Sequence, residues 1–283
     1  MIRKDFNHRL LRENQFALIV PHAVADIPAG IESRPIVPAG LSASAHLMPR
    51  LVNLHLNKDV ENDALLDSIY ESHAAGTPPV IAVLVQTSLG SEEFMHHWNR
   101  MQVVSPTKGT RSWLRLHDPR VLHLLLQILT TKQQRTLFGR STALTYWLGG
   151  EWVTAMPDVD DTPSPVSGAD STWDWHRIER IGIVNRAYQG AGVHSASAYT
   201  ASYPVAERLI ERAGARYGLQ ADHDLVEFVT RGVLFGSNFD DHPELTRIIA
   251  PRSEADDDAT LSDRLALVSD TVWDELRKSY ATR

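Results

Sequence analysis

The sequence predicts an α+β protein: a mixed N-terminal lobe with a β-sheet core flanked by helices, followed by an all-helical C-terminal lobe. Short apolar and alternating runs are interleaved with helical patterns up to residue 156, whereas only helical spacing follows residue 173. Between them, residues 157–172 are acidic and rich in proline and serine, which is typical of a linker. We therefore expect domains at residues 1–156 and 173–283.

Strands of the first lobe are predicted from apolar runs and period-two alternation. They are Phe16–Val20, Arg50–Leu56, Val80–Val85, Met101–Val104, Arg111–His117, Ala143–Leu148 and Glu151–Ala155. The uninterrupted run Val80–Val85 is expected to be a central strand covered on both faces. The last two strands flank Gly149-Gly150, which favours a two-residue hairpin because glycine readily adopts positive φ angles. Met101–Val104 and Arg111–His117 are expected to pair across the loop between them.

Helices are predicted from apolar residues at helical spacing and from capping signals. In the first lobe they are Asp59–His73, a helix capped by Ser91, Val121–Leu129, and a turn opened by a capping box at Thr131–Gln134 and closed by Gly139. In the second lobe they are Arg177–Tyr188, Pro204–Tyr217, a helix capped by Asp222 that ends near Gly236, a short segment from Pro243 to Ile249, and a last helix from Thr260.

The junction Asp118-Pro119 organises the first lobe. An aspartate can accept hydrogen bonds from the first free N–H groups of a helix, and proline at the first helical position loses no hydrogen bond there. The residues from Val121 to Leu129 are apolar nearly all round, so this helix is expected to be central and packed on the sheet. We predict a structural role for Asp118 as its N-cap.

Composition narrows the class of function. The chain has 28 Lys+Arg and 35 Asp+Glu, and a net charge of −7 argues against a nucleic-acid surface as its main function. It has no cysteine, which excludes disulfides, thiolate metal sites and cysteine nucleophiles. The first residues contain no apolar run of signal-peptide length, and no later stretch approaches a membrane span. A soluble cytoplasmic protein without a membrane association is expected.

No motif predicts catalysis or a cofactor. HExxH, GxSxG, phosphate-binding and dinucleotide-binding glycine motifs are missing, and the 13 histidines are scattered. The run Ser105–Lys108 matches SxxK, but it falls in a predicted loop. The aspartates Asp158, Asp160 and Asp161 favour a solvated linker over a cation site. We therefore expect a protein that is not an enzyme and binds no metal or cofactor, with a hydrolase or nuclease using Asp118, His117 and Arg115 as the alternative.

One face of the predicted strand Arg111–His117 is a candidate for binding a partner. It would carry Arg111, Trp113, Arg115 and His117, and tryptophan and arginine are enriched in the residues that dominate binding energy at protein interfaces. The other interpretation is that these residues pair locally with acidic neighbours such as Asp118. The pattern alone leaves both open.

Several segments resemble a known family. The run LRLHDPRVLHLLLQIL followed by QQRTLFG resembles the signature of the type VI secretion effector-adaptor chaperones, called Tap or TEC proteins. The upstream segments FALIV, MPRLVNLHL and VIAVLVQTSLGSEEFMHHW occur in that family's order, so the resemblance extends from Phe16 to Ala155. The segment DLVEFVTRGVLFGSNFDDHPEL resembles the family's C-terminal lobe. One departure is His117, at a position where the family would have an aromatic residue.

The resemblance implies a non-catalytic adaptor with two protein partners. It would bind a toxic effector in the producing cell and load it onto the VgrG spike; a structural component of the secretion apparatus is a further alternative. The residues expected to bind a partner or to form the signature are Arg111, Trp113, Arg115, Asp118 and Arg120 in the first lobe, and Val226, Val229, Val233 and Phe235 in the second, where these are not used in its own core.

Overall fold

A computed structural model describes residues 2–4, 7–104, 112–158, 173–250 and 259–281. The chain forms two compact units, residues 1–178 and 179–283. The first is mixed and the second is helical, which confirms the predicted α+β class. Most of the expected linker lies outside the described residues, so the expected domain boundaries remain predictions. Among the described residues, no helix combines the length and apolar character needed to cross a bilayer.

A seven-stranded sheet forms the centre of the first unit, and every neighbouring pair is antiparallel. Its strands are β1 (Ile2–Lys4), β2 (Phe16–Ile19), β3 (Ser33–Pro35), β4 (Arg50–Asn53), β5 (Ile81–Thr87), β8 (Ser141–Leu148) and β9 (Glu151–Ala155). Their spatial order is β1-β9-β8-β5-β2-β4-β3. A separate two-stranded ribbon pairs β6 (Val103–Val104) with β7 (Ser112–Trp113).

The central strand and the last hairpin agree with prediction. Residues 81–85 of β5 are all buried, because helices and neighbouring strands cover both faces of this strand. Gly149 and Gly150 have φ angles of 60° and 89°, as a tight turn between β8 and β9 requires. The predicted strand Arg50–Leu56 is too long: β4 ends at Asn53, and Leu56 is 81% exposed. The chain turns there because Leu56 N–H donates to the carbonyl of Asn53.

Among the described residues, the first unit also contains five α-helices that precede β8 and two short 3-10 helices. They are α1 (His8–Glu13), α2 (Asp59–Ala74), α3 (Ser91–Gln102), α4 (Pro119–Ile128), α5 (Thr131–Phe138) and the 3-10 turns Pro21–Asp26 and Ser42–Leu47. As predicted, α4 is central: seven of its ten residues are buried.

Two helix caps lie one residue earlier than predicted. Gly90 rather than Ser91 is the N-cap of α3, and its N–H donates to the Glu93 carboxylate. The capping box of α5 begins at Thr130, whose hydroxyl accepts from Gln133 N–H. In both cases the residue predicted to cap is the first helical residue, and a glutamate or glutamine three positions after the true cap completes the box.

The second unit is helical throughout its described residues. Helix α6 (Trp175–Glu179) crosses the division between the units; α7 (Ile181–Gly190), α8 (Ala196–Tyr217), α9 (Asp222–Phe235), α10 (Pro243–Ile249), α11 (Leu261–Leu265) and α12 (Asp270–Ala281) follow, with a 3-10 turn at Phe239–Asp241. The predicted helix Arg177–Tyr188 is thus two helices, and the last predicted helix is also two, with a turn at residues 266–268.

Helix α8 is longer than predicted. It begins after Ser195, whose hydroxyl accepts from Ala198 N–H at 3.2 Å, and Pro204 lies inside it rather than at its start. The proline costs one backbone hydrogen bond, which the packing of the long helix outweighs. The helix ends at Gly218 in the left-handed conformation, as predicted.

Helix α9 is the core of the second unit, where Phe228 and Val229 are fully buried. A buried ion cluster fixes the turn after it: the carboxylate of Asp240 is fully buried and accepts from Arg212 at 2.8 Å and from the Tyr217 hydroxyl at 3.0 Å. This pairing satisfies a charge that would otherwise be costly to bury.

Candidate functional site

The segment from β7 to α4 is a short strand followed by turns. The predicted strand Arg111–His117 is wrong beyond Trp113: Leu116 N–H donates to the carbonyl of Leu114, and Asp118 N–H donates to the carbonyl of Arg115. Leu114 and Leu116 are buried while Arg115 is exposed, so the alternation is real. Two consecutive turns, and not a pleated strand, give this alternation of buried and exposed side chains.

His117 does not lie on an exposed face with Arg115, as was predicted. It is only 6% exposed, and its ring stacks on that of Trp113 at a centroid distance of 5.6 Å. Burial, together with the positive charge of Arg115, lowers the pKa of His117 to about 4, although Asp118 acts in the opposite direction. His117 is therefore neutral near pH 7. Arg111 lies outside the described residues.

Asp118 caps α4 as predicted. Its Oδ1 accepts from the Arg120 N–H at 3.0 Å. Arg120 also folds back on the carboxylate, with Nε donating to Oδ1 at 3.0 Å and Nη2 to Oδ2 at 2.8 Å. Burial alone would raise the pKa of Asp118, but the hydrogen bonds and charge of Arg120 outweigh it and lower the pKa.

Trp113, Arg115 and Arg120 form what we call the β7–α4 surface. Trp113 is half-buried and its Nε1–H donates to Gln102 Oε1 at 3.4 Å, so this side chain is held in place by both its ring and its nitrogen. Arg115 is exposed, and the Arg120 side chain is 46% exposed despite its ion pair. The segment thus presents one fixed aromatic ring and two cationic side chains to solvent.

The four candidates in the second unit differ in accessibility. Val226 and Val233 are half-buried, whereas Val229 is fully buried. Phe235 is 7% exposed, because its ring packs on Trp273 at 4.7 Å. Val229 and Phe235 therefore belong to the unit's own core and offer little surface. Leu234, which the sequence did not single out, is 40% exposed.

A pocket of about 410 Å³ lies beside α3, and the sequence did not predict it. We call it the α3 pocket. It is lined by Leu89, Glu92, Glu93, His96, His97, Arg100, Gly139 and Arg140. Gly139 was predicted only to close a turn, and the histidines showed only a scattered pattern in the sequence. These residues are about 40 positions apart in sequence, so no local pattern links them.

No metal centre is evident in the described ranges, where no three His, Cys, Asp or Glu side chains are grouped to hold an ion. Asp160, Asp161 and the predicted SxxK run lie outside these ranges. Asp158 lies within them, where its carbonyl accepts from Arg135 Nε at 3.2 Å.

Comparison with protein-family models gives a match for part of the chain. Residues 39–136 match the model of a family described as Domain of unknown function (DUF4123). The matched segment runs from the loop before β4 to α5, and it includes the β7–α4 surface and the α3 side of the α3 pocket. Neither the curated proteins nor the solved structures give a significant match.

Proposed function

We propose that this chain is a type VI secretion adaptor that binds a toxic effector in the cytoplasm of the producing cell and loads it onto the VgrG spike. The family match at residues 39–136 carries the proposal, because it falls on the segment that resembles the Tap or TEC signature. That family is associated with type VI secretion adaptors. The effector and the spike protein are the proposed partners.

The β7–α4 surface supports a binding role. A ring stack and a hydrogen bond already hold the half-buried side chain of Trp113. It therefore loses little conformational entropy when a partner covers it, and this loss offsets less of the binding free energy. Tryptophan and arginine are also the residue types that most often dominate interface energies. Trp113 and Arg115 are therefore the proposed effector contacts of the first unit.

The same geometry supports a non-catalytic protein over the hydrolase alternative. Both carboxylate oxygens of Asp118 accept hydrogen bonds from the Arg120 side chain, and Oδ1 also accepts from the Arg120 backbone N–H at the start of α4. The ring of His117 is buried against Trp113 and has a pKa of about 4, too low for an efficient general base near pH 7. These residues have structural roles that account for their positions.

Co-expression with the toxin encoded beside its gene tests the adaptor proposal. The tagged full-length chain should capture and solubilise the toxin, and Trp113→Ala/Arg115→Ala should reduce capture at least tenfold. The matched control is Tyr70→Ala/Arg9→Ala, which removes a half-exposed aromatic and an exposed arginine elsewhere in the same unit. Failure of the wild-type chain to capture the toxin would remove the main support for the proposal.

Purified protein tests the alternative. We expect no stoichiometric metal by elemental analysis and no nuclease or esterase turnover. Turnover that is present in the wild type and lost in His117→Ala would establish an enzyme instead.

A further inference from the structure

The solvent-facing side of α2 carries exposed apolar side chains. Leu56, in the turn before this helix, is 81% exposed, Val60 is 69% exposed and Tyr70 is 50% exposed. They are three of the seven large apolar side chains that are exposed among the described residues. A surface helix usually keeps its apolar residues on the buried side. The outer side of α2 departs from this pattern, and a local concentration of exposed apolar residues is typical of a contact with another protein.

The inner side of α2 is already used by its own unit. Leu65 and Ile69 are buried in a core cluster that also contains Ala17 and Ile19 of β2. Helical geometry places Val60 on the other side of the helix from this cluster. The exposed apolar residues of α2 are therefore not needed for the core, and they can be substituted without opening it.

Hydrogen bonds fix the turn that carries Leu56 to the first part of α2. Asn62 Nδ2 donates to the carbonyl of Leu54 at 3.1 Å, and Asn57 Nδ2 donates to Asn62 Oδ1 at 3.0 Å. The position of Leu56 is thus set before any partner binds. Less conformational entropy is lost when a partner covers a residue held in this way.

A row of carboxylates runs along the same side of α2. Four exposed acidic residues follow each other at intervals of four positions, and α2 contains no lysine or arginine: Asp59, Asp63, Asp67 and Glu71. Asp63 lies 3.5 Å from Nδ1 of His8, whereas within the described part of the chain the other three carboxylates accept no hydrogen bond and form no ion pair. Like charges at this spacing destabilise a helix, and cations on a partner would remove the repulsion.

These two sets of side chains form one surface, which we call the α2 face. It consists of Leu56, Asp59, Val60, Asp63, Asp67, Tyr70 and Glu71. Its apolar residues call for an apolar stripe on the partner, and its carboxylates call for positive charge beside that stripe.

The α2 face and the β7–α4 surface lie on opposite sides of the sheet. Successive side chains of a strand point to opposite faces: in β2, Ala17 packs with the α2 side, whereas Phe16 stacks on Phe94 of α3 at 5.0 Å. The β7–α4 surface belongs to the α3 side, because Leu114 N–H donates to the carbonyl of Gln102, the last residue of α3. Two partners can therefore cover the two surfaces at the same time.

We propose that the α2 face binds an amphipathic helix of the spike protein, in which lysine or arginine residues flank an apolar stripe. An adaptor holds two partners together, and the proposed effector contacts of this unit lie on the other side of the sheet. A helix fits because α2 has 16 residues and is about 24 Å long, so cations four residues apart on a helix laid along it would match the carboxylate row. The inference rests on the proposed function in naming the spike protein as the source of this helix.

Capture of each partner by the full-length chain tests the α2 face. The toxin and the spike protein are co-expressed with the chain one at a time. Leu56→Ser/Val60→Ser and Asp67→Asn/Glu71→Gln should each reduce capture of the spike protein at least tenfold and leave capture of the toxin unchanged. The double variant of the β7–α4 surface should show the reverse.

Two matched variants serve as controls. Leu47→Ser/Leu267→Ser removes two exposed leucines outside the α2 face, and Glu211→Gln/Asp270→Asn removes two exposed carboxylates outside it. Both should capture the spike protein as the wild type does. Unchanged thermal melts of all variants exclude misfolding.

Peptides test the chemistry of the occupant independently of the adaptor role. The probe is an acetylated peptide amide of about 18 residues, slightly longer than α2, with leucines on one helical side and lysines on both flanks of that side. One comparison peptide has glutamate in place of each lysine, and another has the same composition in scrambled order. Fluorescence anisotropy should show saturable binding of the lysine peptide and at least tenfold weaker binding of both comparison peptides. The two α2-face variants should lose binding of the lysine peptide to the same extent.

The outcomes separate this inference from the proposed function. Capture of the spike protein by the α2-face variants at the wild-type level would overturn the inference while the adaptor role stands. An equal loss in the control variants, equal binding of the three peptides, or no saturable binding of the lysine peptide would also overturn it. Peptide binding as expected, with neither toxin nor spike protein captured by the wild type, would establish the α2 face as a site for a basic helix and leave the adaptor role unsupported.

Discussion

Asp118 connects the ring stack of Trp113 and His117 to the central helix, and its carboxylate accepts from both the backbone N–H and the side chain of Arg120. Asp118→Ala removes the helix cap, which costs about 1 kcal/mol and up to about 2. We expect little further loss from the freed Arg120, since its side chain is 46% exposed and water can solvate it. Chemical denaturation should therefore show a decrease of about 1–2 kcal/mol in the free energy of unfolding.

Asp118→Asn is the matched control, because asparagine also caps helices but carries no charge. It should retain most of the stability of the wild type. Wild-type stability in Asp118→Ala would contradict the structural role of this residue.

His117 makes stability depend on pH. The pKa of a histidine in the unfolded chain is about 6.5, whereas the pKa of His117 in the folded chain is about 4. Between these values the unfolded state holds more protons, so stability is complete above about pH 6.5 and falls as the pH decreases toward 4. The full loss is on the order of 3 kcal/mol. Melting temperatures measured from pH 7 to pH 4 should show it.

His117→Phe keeps an aromatic ring beside Trp113 but removes the titrating group, so it should flatten this part of the pH profile. Within the described residues Nδ1 of His117 has no hydrogen-bond partner, so phenylalanine loses no bond at that atom. Some slope should remain, because burial lowers the pKa of His97 as well. His46→Phe, at an exposed position, should leave the profile unchanged; equal slopes in wild type and His117→Phe would contradict the assignment.

The two residues also show what the sequence can and cannot predict at this scale. The cap at Asp118 depends on its own side chain and the next two residues, so Asp-Pro before an apolar run was sufficient to predict it. The burial of His117 depends on whether Arg111–His117 is a strand or a pair of turns. Apolar alternation is compatible with both, so the pattern placed His117 on one face with Arg115, although His117 is buried and Arg115 is exposed.

At the scale of the helices, Gly232 lets α8 and α9 pack closely. A Cβ on Gly232 would lie 2.4 Å from Cδ1 of Leu209, which is fully buried. In an exposed helix Gly→Ala stabilises by about 0.5–1 kcal/mol. Here we expect the opposite, a loss of about 1–3 kcal/mol, since the buried side chain must move or strain. Thermal unfolding of Gly232→Ala measures it.

Gly182→Ala provides the contrast. Gly182 lies in α7, and a Cβ there would meet no atom within 4 Å, so the usual gain is expected. The double variant Gly232→Ala/Leu209→Ala should be less destabilised than the sum of its single changes, because the second change removes the collision. A stabilised Gly232→Ala would show that the helices are not in close contact.

Element boundaries were predictable where one local signal acts alone. Gly218 ends α8 and Gly149-Gly150 turns the hairpin because each needs a positive φ angle at a fixed place. Predicted boundaries were wrong where tertiary packing, and not a local signal, determines the residue at which a helix begins. Proline is common at the first position of a helix, yet α8 begins two turns before Pro204. The residues before Pro204 also pack into the unit, since Ala196, Tyr199 and Tyr203 are buried.

For the molecule as a whole, the sequence predicted the secondary-structure class of each half, but it did not predict the α3 pocket. Composition and periodicity separate a mixed half from a helical half without any knowledge of contacts. The α3 pocket depends on His97 meeting Leu137 and Gly139, a contact between segments about 40 residues apart that only the folded sheet brings together.

The two compact units lead to a prediction about binding of the proposed toxin partner. Residues 1–178 contain the whole seven-stranded sheet and its core, so this fragment should fold alone and melt cooperatively. If the second unit contributes even one apolar contact worth about 2 kcal/mol, its removal should weaken toxin binding about 30-fold. Val226, Val233 and Leu234 retain accessible surface and are the residues that such a contact would use.

Titration of immobilised toxin with the full-length chain and with residues 1–178 measures the difference. Full-length Val226→Ser/Val233→Ser is the point-variant counterpart, and Leu267→Ser is its control, because Leu267 is 75% exposed in the turn between α11 and α12. If the fragment binds as tightly as the full chain, the effector interface of the proposed adaptor lies on the first unit. A 30-fold loss in the fragment that the valine variant reproduces would instead place part of the effector interface on α9.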